Sequence, residues 1–212
     1  PGTWTNFVKV QNVERVIGTA GDDLIQASGE TMSLYGSLGD DELVGNPEEK
    51  TVLEGGEGSD NLIGGAKNDE IYDHIKGDDK TPFKIDLSGK DTLDGRGGDD
   101  LLVSISGDDT LKGGKGDDRL VSIYGTSSLR GNGDDDRFVF TIDDPAFGTP
   151  VARSQASLAG LKMLGGGGKD WADFSGLLAA CLRRISLSSS ALISRSISSL
   201  TDRKARRARP IH

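Results

Sequence analysis

Nine aspartates in this sequence stand in the same local frame: Asp23, Asp41, Asp60, Asp69, Asp91, Asp100, Asp109, Asp118 and Asp136. Each sits two residues before a large apolar side chain, as in Gly113-Gly114-Lys115-Gly116-Asp117-Asp118-Arg119-Leu120. A carboxylate delivered by a tight turn is a hard oxygen donor, and Ca2+ takes about six to eight such oxygens at roughly 2.3–2.6 Å. Aspartates alone supply too few. The remainder are expected from turn carbonyls near Gly18, Gly21, Gly36, Gly39, Gly56, Gly58, Gly65, Gly89, Gly98, Gly107, Gly114 and Gly116. The chemistry on offer is cation binding.

Little else in the sequence reacts. A single Cys allows neither an internal disulfide nor a Cys-rich zinc site. His74 and His212 are the only histidines, and no HExxH, GxSxG, Cys–His pair or P-loop pattern occurs. No catalytic residue is therefore assigned, although so acidic a chain leaves a glycosidase-like carboxylate pair open. No apolar run approaches the ~18 residues that would cross a membrane. The 212 residues include 31 Gly and are 34% hydrophobic, which argues against a thick core. Charge divides the chain: residues 171–212 carry eight Lys/Arg against two acids, and residues 1–170 carry 17 basic against 32 acidic residues. So dense an acidic block repels phosphate backbones, which excludes nucleic acid as its partner. The chain opens at Pro1 with no Met and no signal-peptide pattern, as expected of a fragment or a processed product.

A period of nine residues is what positions the aspartates. Gly55-Gly56-Glu57-Gly58-Ser59-Asp60-Asn61-Leu62-Ile63 and the stretch Gly113–Val121 both read G-G-x-G-x-D-x-L-x. Coils start at 9, 18, 27, 36 and 45 and, after one extra residue at Glu54, at 55 and 64. An interruption from Asp73 to Ile85 follows, and the frame resumes at 86, 95, 104, 113, 122 and 131. The eighth position is large and apolar in every coil, from Val16, Ile25, Leu34, Leu43 and Val52 to Leu120, Leu129 and Phe138. An acidic disordered linker has no reason to keep that register. A three-residue strand at positions seven to nine points its middle side chain inward. One such residue cannot hold a coil, but stacked coils bury a continuous ladder. The preceding turn needs Gly where φ is positive or where turns approach closely.

The repeat resembles the haemolysin-type calcium-binding nonapeptide of the RTX family, over roughly Lys9 to Val139. The resemblance implies an all-β fold, a right-handed parallel β-roll (a β-solenoid) with two nonapeptides per turn. It also implies Ca2+ between turns two coils apart in sequence. Position six is lost at Glu14, Met32, Lys50 and Ser127. The rows before the interruption are then Asp23, Asp41, Asp60 and Glu14, Met32, Lys50, Asp69, so one edge is expected to bind ions and the other not. Lys50 is expected to stand in for an ion with its ammonium. After the interruption the rows are Asp91, Asp109, Ser127 and Asp100, Asp118, Asp136, and both edges are expected to bind, for roughly five ions in all.

The organisation read from sequence is an N-terminal cap and first coil (1–17), a first repeat block (18–72), a loop insertion (73–85), a second block (86–140), a closing segment with a Gly-rich linker (141–175), and a basic Ser/Arg-rich tail (176–212), irregular or weakly helical. Trp4 and Phe7 are expected to cap the open first coil, and His74 is read as an ordinary surface residue. The insertion has a bland reading as a loop, with partner binding or an extra calcium site as alternatives. The tail has three open readings: a C-terminal signal for type I secretion machinery, contact with an anionic surface, or a non-native reading frame. The functional expectation is a calcium-binding module of a secreted RTX-type protein that folds on meeting extracellular Ca2+. The alternatives are an adhesive or structural repeat of a cell-surface, S-layer or filament protein that self-associates through roll edges or ends, or the non-catalytic part of an RTX toxin or secreted enzyme.

Overall fold

Short apolar-centred strands separated by Gly-rich turns can bury their centres only by stacking, and stacking is what the chain does. The computed structural model describes residues 7–9, 13–30, 32–74, 89–123, 127–141 and 161–176. Sixteen strands follow in order: β1 (Phe7–Lys9), β2 (Arg15–Ile17), β3 (Leu24–Gln26), β4 (Met32–Leu38), β5 (Glu42–Val44), β6 (Thr51–Glu57), β7 (Asn61–Ile63), β8 (Glu70–Tyr72), β9 (Thr92–Gly97), β10 (Leu101–Ser104), β11 (Thr110–Lys115), β12 (Arg119–Ser122), β13 (Ser128–Asn132), β14 (Arg137–Thr141), β15 (Lys162–Gly166) and β16 (Trp171–Gly176). Odd strands form one eight-stranded sheet and even strands another, each in sequence order and parallel throughout. The fold is a parallel β-solenoid, all-β, with two nonapeptides per turn.

The eighth-position residues meet between the sheets. Leu43, Leu62, Leu93, Leu111 and Leu129 stack in register along the odd sheet. Leu34, Leu53, Ile71, Leu102, Leu120 and Phe138 do so along the even one. All belong to one buried cluster that also holds Phe140 and Phe174, whose rings stack 5.0 Å apart. Burying one such side chain contributes about 1.5–3 kcal/mol, so the core is a repeated small increment.

Three expectations need correction. Leu53, not Val52, occupies the ladder, since Leu34 pairs with Leu53 and Leu53 with Ile71. The extra residue therefore lies within the turn ahead of Thr51, and Glu54 is in frame. Gly165–Gly168, read as part of a linker, belongs to a further turn of the roll: Met163 pairs with Leu129 and Ala172 with Phe138. The rows of coils also do not break at the insertion, because β7 pairs directly with β9 and β8 with β10.

A second buried cluster was not expected from a one-residue ladder. Tyr72, Val103, Val121 and Val139 at position nine, with Ile105 and Ile123, pack together apart from the main stack. Trp4, the Phe7 side chain, most of the insertion and the tail from 177 lie outside the described residues.

Candidate metal centre

Each turn delivers its position-six residue to the edge of the roll, where successive turns are bonded through it. In the first row the N–H of Asp23 donates to Asp41 Oδ1 (2.8 Å), Asp41 to Asp60 (2.9 Å), Asp60 to Asp91 (2.7 Å) and Asp91 to Asp109 (2.9 Å). In the second, Thr51 donates to Asp69 (2.7 Å), Asp69 to Asp100 (2.7 Å), Asp100 to Asp118 (2.9 Å), Asp118 to Asp136 (3.0 Å) and Asp136 to Asp170 (3.2 Å). All nine aspartates singled out by sequence fall in these rows. Asp170 is a tenth that the sequence reading missed, although Gly165-Gly166-Gly167-Gly168-Lys169-Asp170 carries the motif. An outer row at position five runs in the opposite sense, as where Asp117 N–H donates to Asp99 Oδ1 (2.9 Å) and Asp135 N–H to Asp117 Oδ1 (2.9 Å).

Four of the inner carboxylates use one oxygen in the ladder and hold the other in reserve. Asp41, Asp100, Asp118 and Asp136 are buried, and among the described residues the Oδ2 of each has no hydrogen-bond partner. A buried acceptor left unmade costs about 1–3 kcal/mol, so four in one row pattern ask for an explanation. The first Gly of each motif shapes the space beside that oxygen. A Cβ at Gly95 would collide with Asp100 Oδ2 and lie 2.6 Å from the Gly113 carbonyl oxygen, and one at Gly131 would collide with Asp136 Oδ2 and lie 2.7 Å from the Gly165 carbonyl oxygen. Carboxylate and turn carbonyl thus converge on a cradle that a methyl group would fill. Hard oxygens around a small space suit Ca2+, so the residues present fit the ion.

The second and fourth motif positions hold the turn open with positive φ, as at Gly116 (φ 112°). Asp134 takes the fourth position at φ 66° without being Gly, a conformation that Asp tolerates better than most residues. Asp136 therefore keeps its place in the row.

Electrostatics point the same way. Burial raises the carboxyl pKa of Asp41 to about 7, Asp91 to about 9, Asp100 to about 8, Asp109 to about 7, Asp118 to about 6 and Asp136 to about 7. Backbone N–H bonds offset part of this, and neighbouring carboxylates add to it. Asp69 and Asp170 are raised too, again chiefly by burial. Carboxyls so placed hold protons near neutrality unless a cation takes over their charge.

Where the motif fails, neutral groups close the turn. Thr51, not Lys50, holds the position-six place, and its hydroxyl accepts the Asn46 N–H (2.9 Å). The Asn46 side-chain amide donates to the Gly29 carbonyl. Lys50 instead pairs with Glu70 at 2.7 Å, half in solvent, so its ammonium replaces no ion. In the first row Ser104 donates to Asp109 Oδ2 (2.6 Å) and contacts the Ser127 hydroxyl (3.3 Å). His74, expected at the surface, is buried and hydrogen-bonded through Nδ1 to Asp73. The two aspartate rows are consequently offset, the first running from Asp23 to Asp109 and the second from Asp69 to Asp170.

Fold and site together define a solenoid built to hold hard cations between its turns. Comparison with known families agrees: the RTX calcium-binding nonapeptide repeat matches in four copies, at residues 12–31, 54–75, 85–104 and 106–122. The repeat region of this chain belongs to that family, and its repeat is a calcium-binding one. The stretch between the first two copies contains Met32 and Thr51, where the row lacks aspartate. No curated protein and no solved structure matches the chain.

Gly95→Ala tests the cradle. The added methyl meets both the Asp100 carboxylate and the Gly113 carbonyl, and overpacking of this kind costs about 1–3 kcal/mol. Calcium affinity of that gap is expected to fall roughly ten- to hundredfold, read by calorimetric titration. An unchanged affinity would place the ion elsewhere.

Proposed function

We propose that this chain is the calcium-binding β-roll module of a secreted protein, and that it acquires its fold on meeting extracellular calcium. The observation that carries the reading is the set of buried Oδ2 atoms of Asp41, Asp100, Asp118 and Asp136, each without a donor among the described residues. Position-six aspartates with turn carbonyls would hold the ions, at Asp23, Asp41, Asp60, Asp69, Asp91, Asp100, Asp109, Asp118, Asp136 and, in the further turn, Asp170. Bound calcium supplies the positive charge that lets neighbouring buried carboxylates ionise together. Eight hydrogen-bonded steps separate successive aspartates in the two rows. The count is put at about five ions, with one for each step as the upper bound.

The coupling to folding follows from mass action, because an ion that binds only the assembled turns stabilises only the folded chain. Extracellular modules work with Kd of about 10⁻⁴–10⁻³ M, so cytosolic calcium leaves them empty and external calcium fills them. An unfolded chain suits export through a narrow channel, and the basic tail is a candidate for contact with that machinery. Circular dichroism and native mass measurement across a calcium titration test the reading together. A disordered spectrum in chelator that becomes β-rich at millimolar calcium, with a monomer gaining several ions, is expected. A β-rich spectrum untouched by chelator would end it, and a high-mass ordered species would favour an adhesive or filament role.

A further inference from the structure

The first row departs from the repeat where the insertion begins. Tyr72 pairs with Glu54, so Asp73 stands where Gly55 stands one turn earlier. At Gly55 a Cβ would collide with the carboxylate of its own turn, Asp60. At Asp73 there is a side chain, and it is a carboxylate. One carboxylate oxygen each from Asp73, Asp91 and Asp109 lie within 4.8 Å of one another, and the three residues are 3%, 3% and 1% exposed.

Their hydrogen bonds fix them in place. Asp73 Oδ2 accepts the Ile105 N–H (2.7 Å) and Oδ1 is bonded to His74 Nδ1 (2.6 Å). Asp109 accepts the Asp91 N–H at Oδ1 (2.9 Å) and the Ser104 hydroxyl at Oδ2 (2.6 Å). Asp91 accepts only the Asp60 N–H, at Oδ1 (2.7 Å), and among the described residues no other donor reaches its deeply buried carboxylate. No Lys or Arg among the described residues pairs with the three. Three buried carboxylates at this spacing, one with an oxygen that no donor among the described residues reaches, call for a cation from outside.

We propose that Asp73, Asp91 and Asp109 form a separate divalent-cation site, distinct in composition from the two-aspartate steps of the repeat and the tightest calcium site of the chain. The inference rests on the calcium reading above. Affinity rises with the number of charged ligands and with their rigidity, and this site has one carboxylate more than its neighbours. His74 acts behind the site as a positioning residue, orienting Asp73 as a histidine–carboxylate pair does around a metal. Because Asp73 and Asp91 flank the insertion, one ion here also clamps its two ends, the kind of loop closure from which a metal clip gains most.

Calcium titration of the full chain against a chromophoric chelator tests the site. The expected result is one ion bound at least about tenfold more tightly than the rest, lost in Asp73→Asn and retained in Asp118→Asn. Asp109→Asn, whose Oδ1 still accepts the Asp91 N–H, is expected to lose the same ion, which keeps the test independent of one variant folding. A single class of equivalent sites in the unaltered chain, or a tight ion surviving in both Asp73→Asn and Asp109→Asn, overturns the proposal. A chain that binds no calcium fails the broader reading instead, so the two failures are told apart.

Discussion

Leu111→Ala is expected to lower the stability of the calcium-loaded roll by about 2–5 kcal/mol. Leu111 is fully buried between Leu93 and Leu129 in the middle of the odd sheet. A solenoid is held by nearest-neighbour contacts, so a cavity there weakens the junction on each side. Domains of this size are stable by only about 5–15 kcal/mol, so one truncation removes a large share. Leu164→Ala is the control: Leu164 is 47% exposed on β15, and surface changes of this kind stay within about 0.5 kcal/mol. Denaturant unfolding at fixed millimolar calcium reads both. A Leu111→Ala loss below about 1 kcal/mol would mean that the ladder is not what holds the turns.

Acid is expected to do for the metal-free roll part of what calcium does at neutral pH. Asp41, Asp91, Asp100, Asp109, Asp118 and Asp136 have folded-state values raised above the 3.8 of a free aspartate, from about 6 at Asp118 to about 9 at Asp91, chiefly through burial. The folded chain therefore keeps protons that the unfolded chain has released. Stability is fully present below pH 3.8 and is lost as pH climbs through the window up to about 9. With saturating calcium the trend reverses, because the ion competes with those protons and binding tightens as they leave. Circular dichroism from pH 4 to 9, in chelator and in calcium, should give curves of opposite slope. A chelated chain that is more ordered at pH 9 than at pH 5 would show that the rows are not buried as described.

Much of this was legible in the sequence because the repeat fixes two things at once. A period of nine sends one residue to the core and one aspartate to the edge, so Leu62 with Asp60 or Leu120 with Asp118 could be placed from spacing alone. Spacing fails where two residues fit equally well. Val52 and Leu53 are both apolar, and the register that pairs Leu53 with Leu34 and Ile71 decides which faces inward. The turn at Asp170 carries its motif openly, but Ala172 at the eighth position lacks the bulk that marks a coil. The packing of Val103, Val121 and Val139 at position nine leaves no periodic mark, since that position also holds Gln26 and Asp94. Asp73 was invisible as a turn opener because it replaces the glycine by which a turn is recognised. The direct bond from Asp60 to Asp91 spans 31 residues, and no local pattern reports a contact that skips an insertion.

That same bond has a consequence for how such a chain can change. The turn ending at Asp60 and the one ending at Asp91 sit on each other as immediate neighbours, whatever lies between His74 and Gly89. New sequence can enter at that port, grow or be exchanged while the pitch of the coil stays as it was, so long as both anchors remain. A scaffold of this kind carries a passenger peptide at a fixed height on its flank.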